Sequence, residues 1–425
     1  MKLASYWLET APPFTDGCAG PVEGRFDVAV VGAGFTGLSA ALALAKRGAR
    51  VAVLEAGEVG SAASGRNGGQ CNNGFASDYR AVAARFGEER AAALYHAYDA
   101  AVDSVERLIR EEAIDCDFRR TGKIKLAAKP EHADKLRRTF EAVSRRADPD
   151  TRLVTAAEIR REVGSDAFHG GLVYAKSGGM HVGKFARGLA RAAAGRGAAV
   201  FENAPVTALR RRGGTTHEVA TPRGSLTAGQ VLMATGASMV GPLGWFRRRI
   251  VPVGSFVIVT ERLPRDLLDR LMPTRRMATD SKNVGTYFRV TPDDRLLFGG
   301  RARFAVSNPL SDEKSGRVLR RALDRVFPEL APARIDYCWG GVVDMTADRL
   351  PRAGMRDGLY YAMGYSGHGT QMATHMGQVM AEVLEGRHER NPFAGWDWKA
   401  IPGHFGPPWF LPFVGAYYRL QDVLH

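Results

Sequence analysis

Apolar residues along this chain fall into runs of three kinds, and the runs alternate. Val28–Val31 is unbroken, as expected of a parallel strand buried on both faces. Leu38, Leu42 and Leu44, spaced by alanines, predict a helix with one narrow side, which Gly48 ends. Val51–Leu54 then predicts a second buried strand. Residues 79–112 are amphipathic at helical spacing, and the stretch from Asp115 to Pro130 predicts a hairpin turning near Gly122, followed by a helix over 131–146. A helix beginning near Val182, a break at Gly197 and a strand over 198–202 make a further αβ unit. Residues 231–237 predict a strand running into a glycine turn, and 254–300 are rich in strands. The last unit starts at Leu359: strand, glycine turn, then a helix whose Met372, Met376, Val379, Met380, Val383 and Leu384 recur every three or four positions.

Units of αβ type at both ends and in the middle, interrupted twice, predict a discontinuous nucleotide domain with an inserted one. The expected division is a lead segment over 1–24, a nucleotide domain over 25–112, 150–240 and 335–390, a mostly β domain over 113–149 and 241–334, and a tail over 391–425 packing on the core. A chain of 425 residues is long enough for this. No apolar run reaches the length of a membrane span, and the N-terminal residues lack the apolar stretch of a secretory signal. Four cysteines, scattered and without a CxxC pair, read as reduced thiols, so a cytoplasmic protein with no metal site is expected. The net charge of +14 raises nucleic acid as a partner. Its arginines are dispersed, however, and the clusters at 210–212 and 247–249 lack interleaved aromatics, so the charge reads as solvated surface.

The chemistry sits at the glycine turns. Gly32, Gly34 and Gly37 form GxGxxG between strand and helix, where the first glycine makes the turn, the second admits a pyrophosphate and the third lets helix approach strand. The helix N-terminus offers unpaired N–H groups to the phosphates. Glu55 ends the second strand about eighteen residues past Gly37, placed to accept from ribose hydroxyls and to repel a 2′-phosphate. Residues 60–70, GSAASGRNGGQ, replace the helix that an NAD enzyme would have there. With the turn after Ala234, Thr235 and Gly236, and the turn from Gly364 to Gly369, they favour FAD. The last turn would bring a positive helix end to the flavin.

These segments, with SGRNGGQ and GYSGHGT the most specific, resemble the FAD-dependent amine and amino-acid oxidases of the D-amino-acid oxidase and glycine oxidase superfamily, and within it the γ-glutamylputrescine oxidases. The resemblance covers nearly the whole chain. It implies a glutathione-reductase-like FAD-binding Rossmann domain carrying an inserted, mostly β, substrate domain. It also implies cofactor contacts from Phe35, Thr36, Glu55 and Ala56 on the adenosine side. Val206 would lie along the adenine through its backbone, with a plain core-strand role as the other reading. Ala63, Ser64, Gly65, Arg66, Asn67, Gly68, Gly69 and Gln70 would flank pyrophosphate and ring, and Gly364, Ser366, Gly367, His368, Gly369 and Thr370 the pyrimidine edge. His368, Arg66 and Tyr287 are the catalytic candidates. Phe256, Tyr287, Phe288 and Trp339 are candidate pocket walls, with a plain core role as the other reading; Arg66 and Arg289 are candidate anion anchors, with a phosphate or surface contact as the other reading for Arg66; Lys282 is a candidate oxygen-activating cation, and Asp280 a candidate partner for a substrate ammonium.

Two departures from the family pattern matter. Oxidases of free amino acids resemble R-P-x-T-x-D-x-x-P, whose arginine grips the substrate carboxylate, whereas this chain has Val343 there, in VVDMTADRLP. The cysteine that attaches flavin covalently in sarcosine oxidases is replaced by Gly341, with Cys338 three residues off, so FAD is expected to be held non-covalently. The expected reaction is therefore oxidation of a C–N bond in a γ-glutamylputrescine-like amine by hydride transfer to flavin N5, imine hydrolysis to an aldehyde, and reduction of O2 to H2O2. An oxidase of a secondary amino acid such as L-pipecolate, and a dehydrogenase with a non-oxygen acceptor, are the alternatives.

Overall fold

A computed structural model describes residues 1–238, 240–301 and 303–424. Two sheets organise them. In the first, strands Leu359–Met363, Gly224–Met233, Arg25–Val31, Val51–Leu54 and Ala199–Phe201 lie side by side and parallel, with Arg352–Arg356 antiparallel at one edge. Val28, Val30, Val51 and Val53 face one core, while Ala29, Val31, Ala52 and Leu54 face another on the opposite side. A strand buried on both sides has no place for polar residues, which is why its sequence is unbroken.

Helix Phe35–Ala45 is buried along its whole length, since the helix Gly369–Leu384 crosses it closely. A Cβ on Gly377 would lie 2.4 Å from the carbonyl oxygen of Thr36, so only glycine permits this crossing. Ser39 Oγ donates to the Thr374 carbonyl at 2.7 Å across the same contact.

The second sheet runs in the order Ile335–Met345, Val251–Arg262, Arg295–Gly300, Thr286–Val290, Met277–Asp280, Lys123–Leu126, Gly171–Tyr174 and Arg152–Val154. Strand alternation gives it two different faces. Ile124, Leu126, Phe256, Ile258, Phe288, Phe298 and Cys338 pack with Leu319 and Leu323 of the helix Pro309–Val326. Val257, Val259, Leu297 and Trp339, on the opposite face, join the core of the nucleotide domain.

Sheet membership moves two expected boundaries. Strands 152–154, 171–174 and 335–345 fall in stretches read as nucleotide domain, but they hydrogen-bond into the second sheet. The expected hairpin over 115–130 is also corrected. Lys123–Leu126 pairs with Gly171–Tyr174 and Met277–Asp280, and only Arg119 bridges elsewhere, to Gly179. The helical stretch 79–112 is two helices, Tyr79–Phe86 and Glu88–Glu111, parted at Gly87, whose φ of +85° a helix cannot contain. The tail carries a helix, Leu411–Leu424, whose Asp422 accepts from the Asn283 and Val284 N–H groups at 2.7 and 2.8 Å. Among the described residues no helix is long and apolar enough to cross a membrane, and no group of three or more His, Cys, Asp or Glu side chains is placed to hold a metal.

Candidate active site

A cavity of about 820 Å³ runs from the carboxyl ends of the parallel strands to the polar face of the second sheet. That volume is at the upper end for small-molecule sites. At the parallel end, Gly32 takes φ +106°, and a Cβ there would come within 2.7 Å of the Ala234 carbonyl oxygen. Gly34 precedes the first helix, and Ser64 Oγ accepts from the Phe35 N–H at 3.0 Å, an oxygen standing where an anion would be held. Both Glu55 oxygens are oriented by backbone donors, Ala33 N–H at 2.6 Å and Gly57 N–H at 3.0 Å. Burial raises the Glu55 carboxyl above its ordinary value despite these donors.

The loop 63–70 is fixed from behind. Ser5 Oγ donates to the Gly65 carbonyl at 2.7 Å, Trp339 Nε1 to that of Arg66 at 3.0 Å, and Trp7 Nε1 to that of Asn67 at 2.8 Å. Three successive carbonyls are thus satisfied by buried side chains, which leaves the loop little freedom. The lead segment, read from sequence only as an N-terminal stretch, therefore supports the loop. Over its other side lies Tyr287, whose ring is so close that a Cβ on Gly68 would sit 2.5 Å from it.

Of the residues expected from sequence, Gly32, Gly34, Phe35, Thr36, Glu55, Ala56, Ala63, Ser64, Arg66, Asn67, Gly68, Gln70, Val206, Ala234, Thr235, Gly236, Tyr287, Gly367, His368, Gly369 and Thr370 line this one cavity. Gly37, Gly65, Gly69, Gly364 and Ser366 stand behind the lining. Gly37 and Gly69 are needed for close backbone approach, and Ser366 Oγ lies 3.2 Å from Thr346 Oγ1. Arg66 spends its guanidinium on the carbonyls of Ser61 and Gly340, at 2.8 and 3.2 Å. Burial pushes His368 down to about 3, which keeps its imidazole neutral. Four wall and anchor expectations are corrected. Phe256 and Phe288 face the opposite core, Trp339 is fully buried, and Arg289 is enclosed by the carbonyls of Gly69 and Met180. Lys282 lines the cavity at its exposed rim. Asp280 also lines it, but its carboxylate holds its own turn, accepting from Lys282 N–H, Thr286 N–H and Thr286 Oγ at 3.0, 3.0 and 2.8 Å.

Sequence reasoning missed Asp344. It sits in the cavity wall, accepts from the Gly364 N–H at 2.7 Å, and is pushed by burial up to about 6. It also missed Lys123, Lys125, Arg301 and Arg349, which line the same cavity.

The lining fits a large polar cofactor. Gln70 Nε2, Asn72 Oδ1, Thr235 Oγ1 and His368 Nδ1 are buried in it, and none has a hydrogen-bond partner among the described residues. Buried polar atoms without partners are uncommon, and four in one cavity mark the place of a missing ligand. A family profile of FAD dependent oxidoreductases matches residues 27–383. The chain belongs to that family.

This FAD-dependent oxidoreductase is 36% identical over 406 residues to the gamma-glutamylputrescine oxidoreductase of Escherichia coli strain K12, covering 94% of this chain and 93% of the other. It is 30% identical to the glycine oxidase of Geobacillus kaustophilus, covering 85% and 93%. Among solved structures it is similar to that glycine oxidase, with a TM-score of 0.69 at 25% identity over 90% of this chain and 98% of the other. L-proline dehydrogenase from P. horikoshii gives a TM-score of 0.71 at 21% identity over 88% and 96%, a likeness of fold alone. Chemistry on the C–N bond of an amine follows from family and relatives together.

Proposed function

We propose that this oxidoreductase oxidises an amine whose reacting carbon carries no carboxylate, a γ-glutamylputrescine-like compound, to an imine that water converts to an aldehyde. The observation that carries the reading is Val343 in the cavity wall. An oxidase of free α-amino acids needs a cation there to grip the carboxylate beside the reacting carbon. Arg66, the anion anchor expected beside the ring, is held by two backbone carbonyls.

Gly32, Gly34 and the N-terminus of helix Phe35–Ala45 would hold the pyrophosphate of FAD, and Glu55 its ribose hydroxyls. Thr235, Gln70 and the turn at Gly367, His368 and Gly369 would hold the remainder. FAD held there would supply the hydride acceptor and, in the oxidase reading, a route for the electrons to dioxygen. The protein's own part is to orient the substrate and keep its amine neutral, since an ammonium has no hydride to release from the adjoining carbon without first losing a proton.

Anaerobic mixing of the yellow protein with an amine panel tests the reading. A γ-glutamyl diamine should bleach the flavin, while glycine, D-alanine and L-pipecolate should not. Bleaching by the free amino acids alone would overturn it. Readmitted oxygen should restore the colour with release of peroxide. Failure to do so would point to another acceptor.

Non-covalent attachment is proposed as well. Cys338 lies on the face turned to the helix Pro309–Val326, its thiol 3.3 Å from the Asp312 carbonyl, and Cys71 is buried in the core. Acid precipitation should leave all the yellow colour in the supernatant. Colour retained in the pellet would refute this.

A further inference from the structure

One part of the cavity wall gathers more positive charge than the carboxylates beside it balance. Lys123 and Lys125 alternate with Ile124 and Leu126, so both lysines leave the buried face of their strand and enter the cavity. Arg301 follows the strand Arg295–Gly300, and Arg349 follows the strand Ile335–Met345. All four line the same space, with Lys135 at the rim. Lys123 donates to the Asn73 carbonyl at 2.7 Å. Among the described residues, Lys125, Arg301 and Arg349 donate to no protein acceptor through their side chains and pair with no carboxylate.

Two carboxylates share this part of the wall, and both are engaged. Asp78 caps the helix Tyr79–Phe86, accepting from the Arg80 N–H at 2.9 Å and from Thr139 Oγ at 3.1 Å. Asp280 holds its own turn, as described. The cations also feel one another. Burial depresses Lys125, Asp78 and Asp280 offset part of this, and Lys135 and Arg349 push it further down, while Arg301 is depressed by burial and by Arg349. Sheltered cations in excess of their counter-ions are costly unless something anionic joins them. Arg349 adds a second sign of strain, a left-handed backbone at φ +62°, uncommon for a residue of its size.

We propose that Lys125, Arg301 and Arg349 form a subsite for a carboxylate of the substrate that is not borne on its reacting carbon. This rests on the amine-oxidase reading above and extends it. The substrate would be an amine tethered to a carboxylic acid, not a simple diamine. The carboxylate accepts from the guanidinium groups of Arg301 and Arg349 and from Lys125 Nζ, and the chain between the two groups runs toward Tyr287 and the His368 turn. A γ-glutamyl group meets this requirement and an acetyl group does not.

The test compares the half-amide of putrescine with glutaric acid against its methyl ester, which has the same length and no charge. Stopped-flow reduction of the holoenzyme gives a dissociation constant and a limiting rate for each. The acid should bind on the order of tenfold or more tightly than the ester, with similar limiting rates. Lys125→Met and Arg349→Asn should each bring the acid-to-ester ratio of affinities close to one. Asparagine is chosen because it accepts a left-handed backbone. Glutarate, which has no amine, should perturb the oxidised flavin spectrum of the native protein and do so about tenfold more weakly in either variant.

Equal affinity for acid and ester in the native protein would overturn the subsite and leave amine oxidation standing. If neither compound bleached the flavin, the amine reading would fall, and the glutarate titration would still decide the subsite. Glutarate binding that is absent, or equal in native protein and variants, would refute it.

Discussion

Replacing Gly37 by alanine should yield a protein that does not retain flavin. A Cβ at this position would lie 1.9 Å from the carbonyl oxygen of Gly32 and 3.0 Å from Val30 Cγ1. The first atom belongs to a backbone that cannot retreat. Gly32 already has φ +106° and is backed by the Ala234 carbonyl. The helix must therefore move off the strand and carry its phosphate-facing N-terminus with it. The other side gives no room, because Gly377 of the crossing helix is closed against the Thr36 carbonyl. The ratio of absorbance at 450 nm to that at 280 nm, measured on purified protein, reports the loss. Gly195→Ala is the control, since nothing lies within 4 Å of the added methyl and alanine is the better helix residue by about 1 kcal/mol. Stoichiometric FAD in the Gly37 variant would contradict the account of this turn.

Acid should weaken the fold steeply below neutrality. Three histidines are buried in the neutral form, His368 pushed down to about 3 and His181 and His375 to about 4, each chiefly by burial. His181 Nδ1 accepts the Lys184 N–H at 3.2 Å, and His375 Nδ1 lies 2.9 Å from Ser104 Oγ. Unfolded, all three take up a proton near the ordinary histidine value of about 6.5. The unfolded chain then binds more protons than the folded one, so stability is present above that pH and is lost as pH falls toward 4. Asp344 works the other way. It is raised to about 6, so the folded state holds its proton first and gains stability as pH drops below 6. Set against Asp344, the three histidines leave a net loss of about 4 kcal/mol between pH 7 and pH 5, which the raised Glu55, Asp99 and Asp280 reduce. Urea unfolding at the two values checks this, and His375→Gln should remove about a third of the histidine part. A midpoint that does not change with pH would show that these rings are not buried neutral.

How legible was this molecule in its sequence? The αβ units were readable because a strand covered on both faces tolerates no polar residue, and Val28–Val31 and Val51–Leu54 have none. Gly32, Gly34 and Glu55 were readable because a local turn geometry demands them. Lys123–Leu126 was misread as half of a hairpin because its partners, Gly171–Tyr174 and Met277–Asp280, lie far along the chain. No local turn announces such a pairing. The helix Pro309–Val326 was passed over, although its N-terminal Asn308 accepts from the Ser311 N–H and is a recognisable cap. The carboxylate subsite was invisible for a different reason: Lys125, Arg301 and Arg349 meet only through the folding of three separate segments. One local signal was available. Lys-Ile-Lys-Leu in a strand of a large domain places two charges on one face, and an interior strand seldom has such a face without a use for it.

The order of strands in the parallel sheet has one more outcome. Residues 25–31 are flanked by 51–54 on one side and 224–233 on the other, and 224–233 is flanked in turn by 359–363. The second sheet is threaded through the intervals between these segments. Neither lobe can therefore come apart while the other persists, and whatever fills the shared cavity braces both at once. Saturation with FAD should then raise a single cooperative melting transition, and a protease nick in an exposed loop between the lobes should leave two pieces that still migrate as one particle.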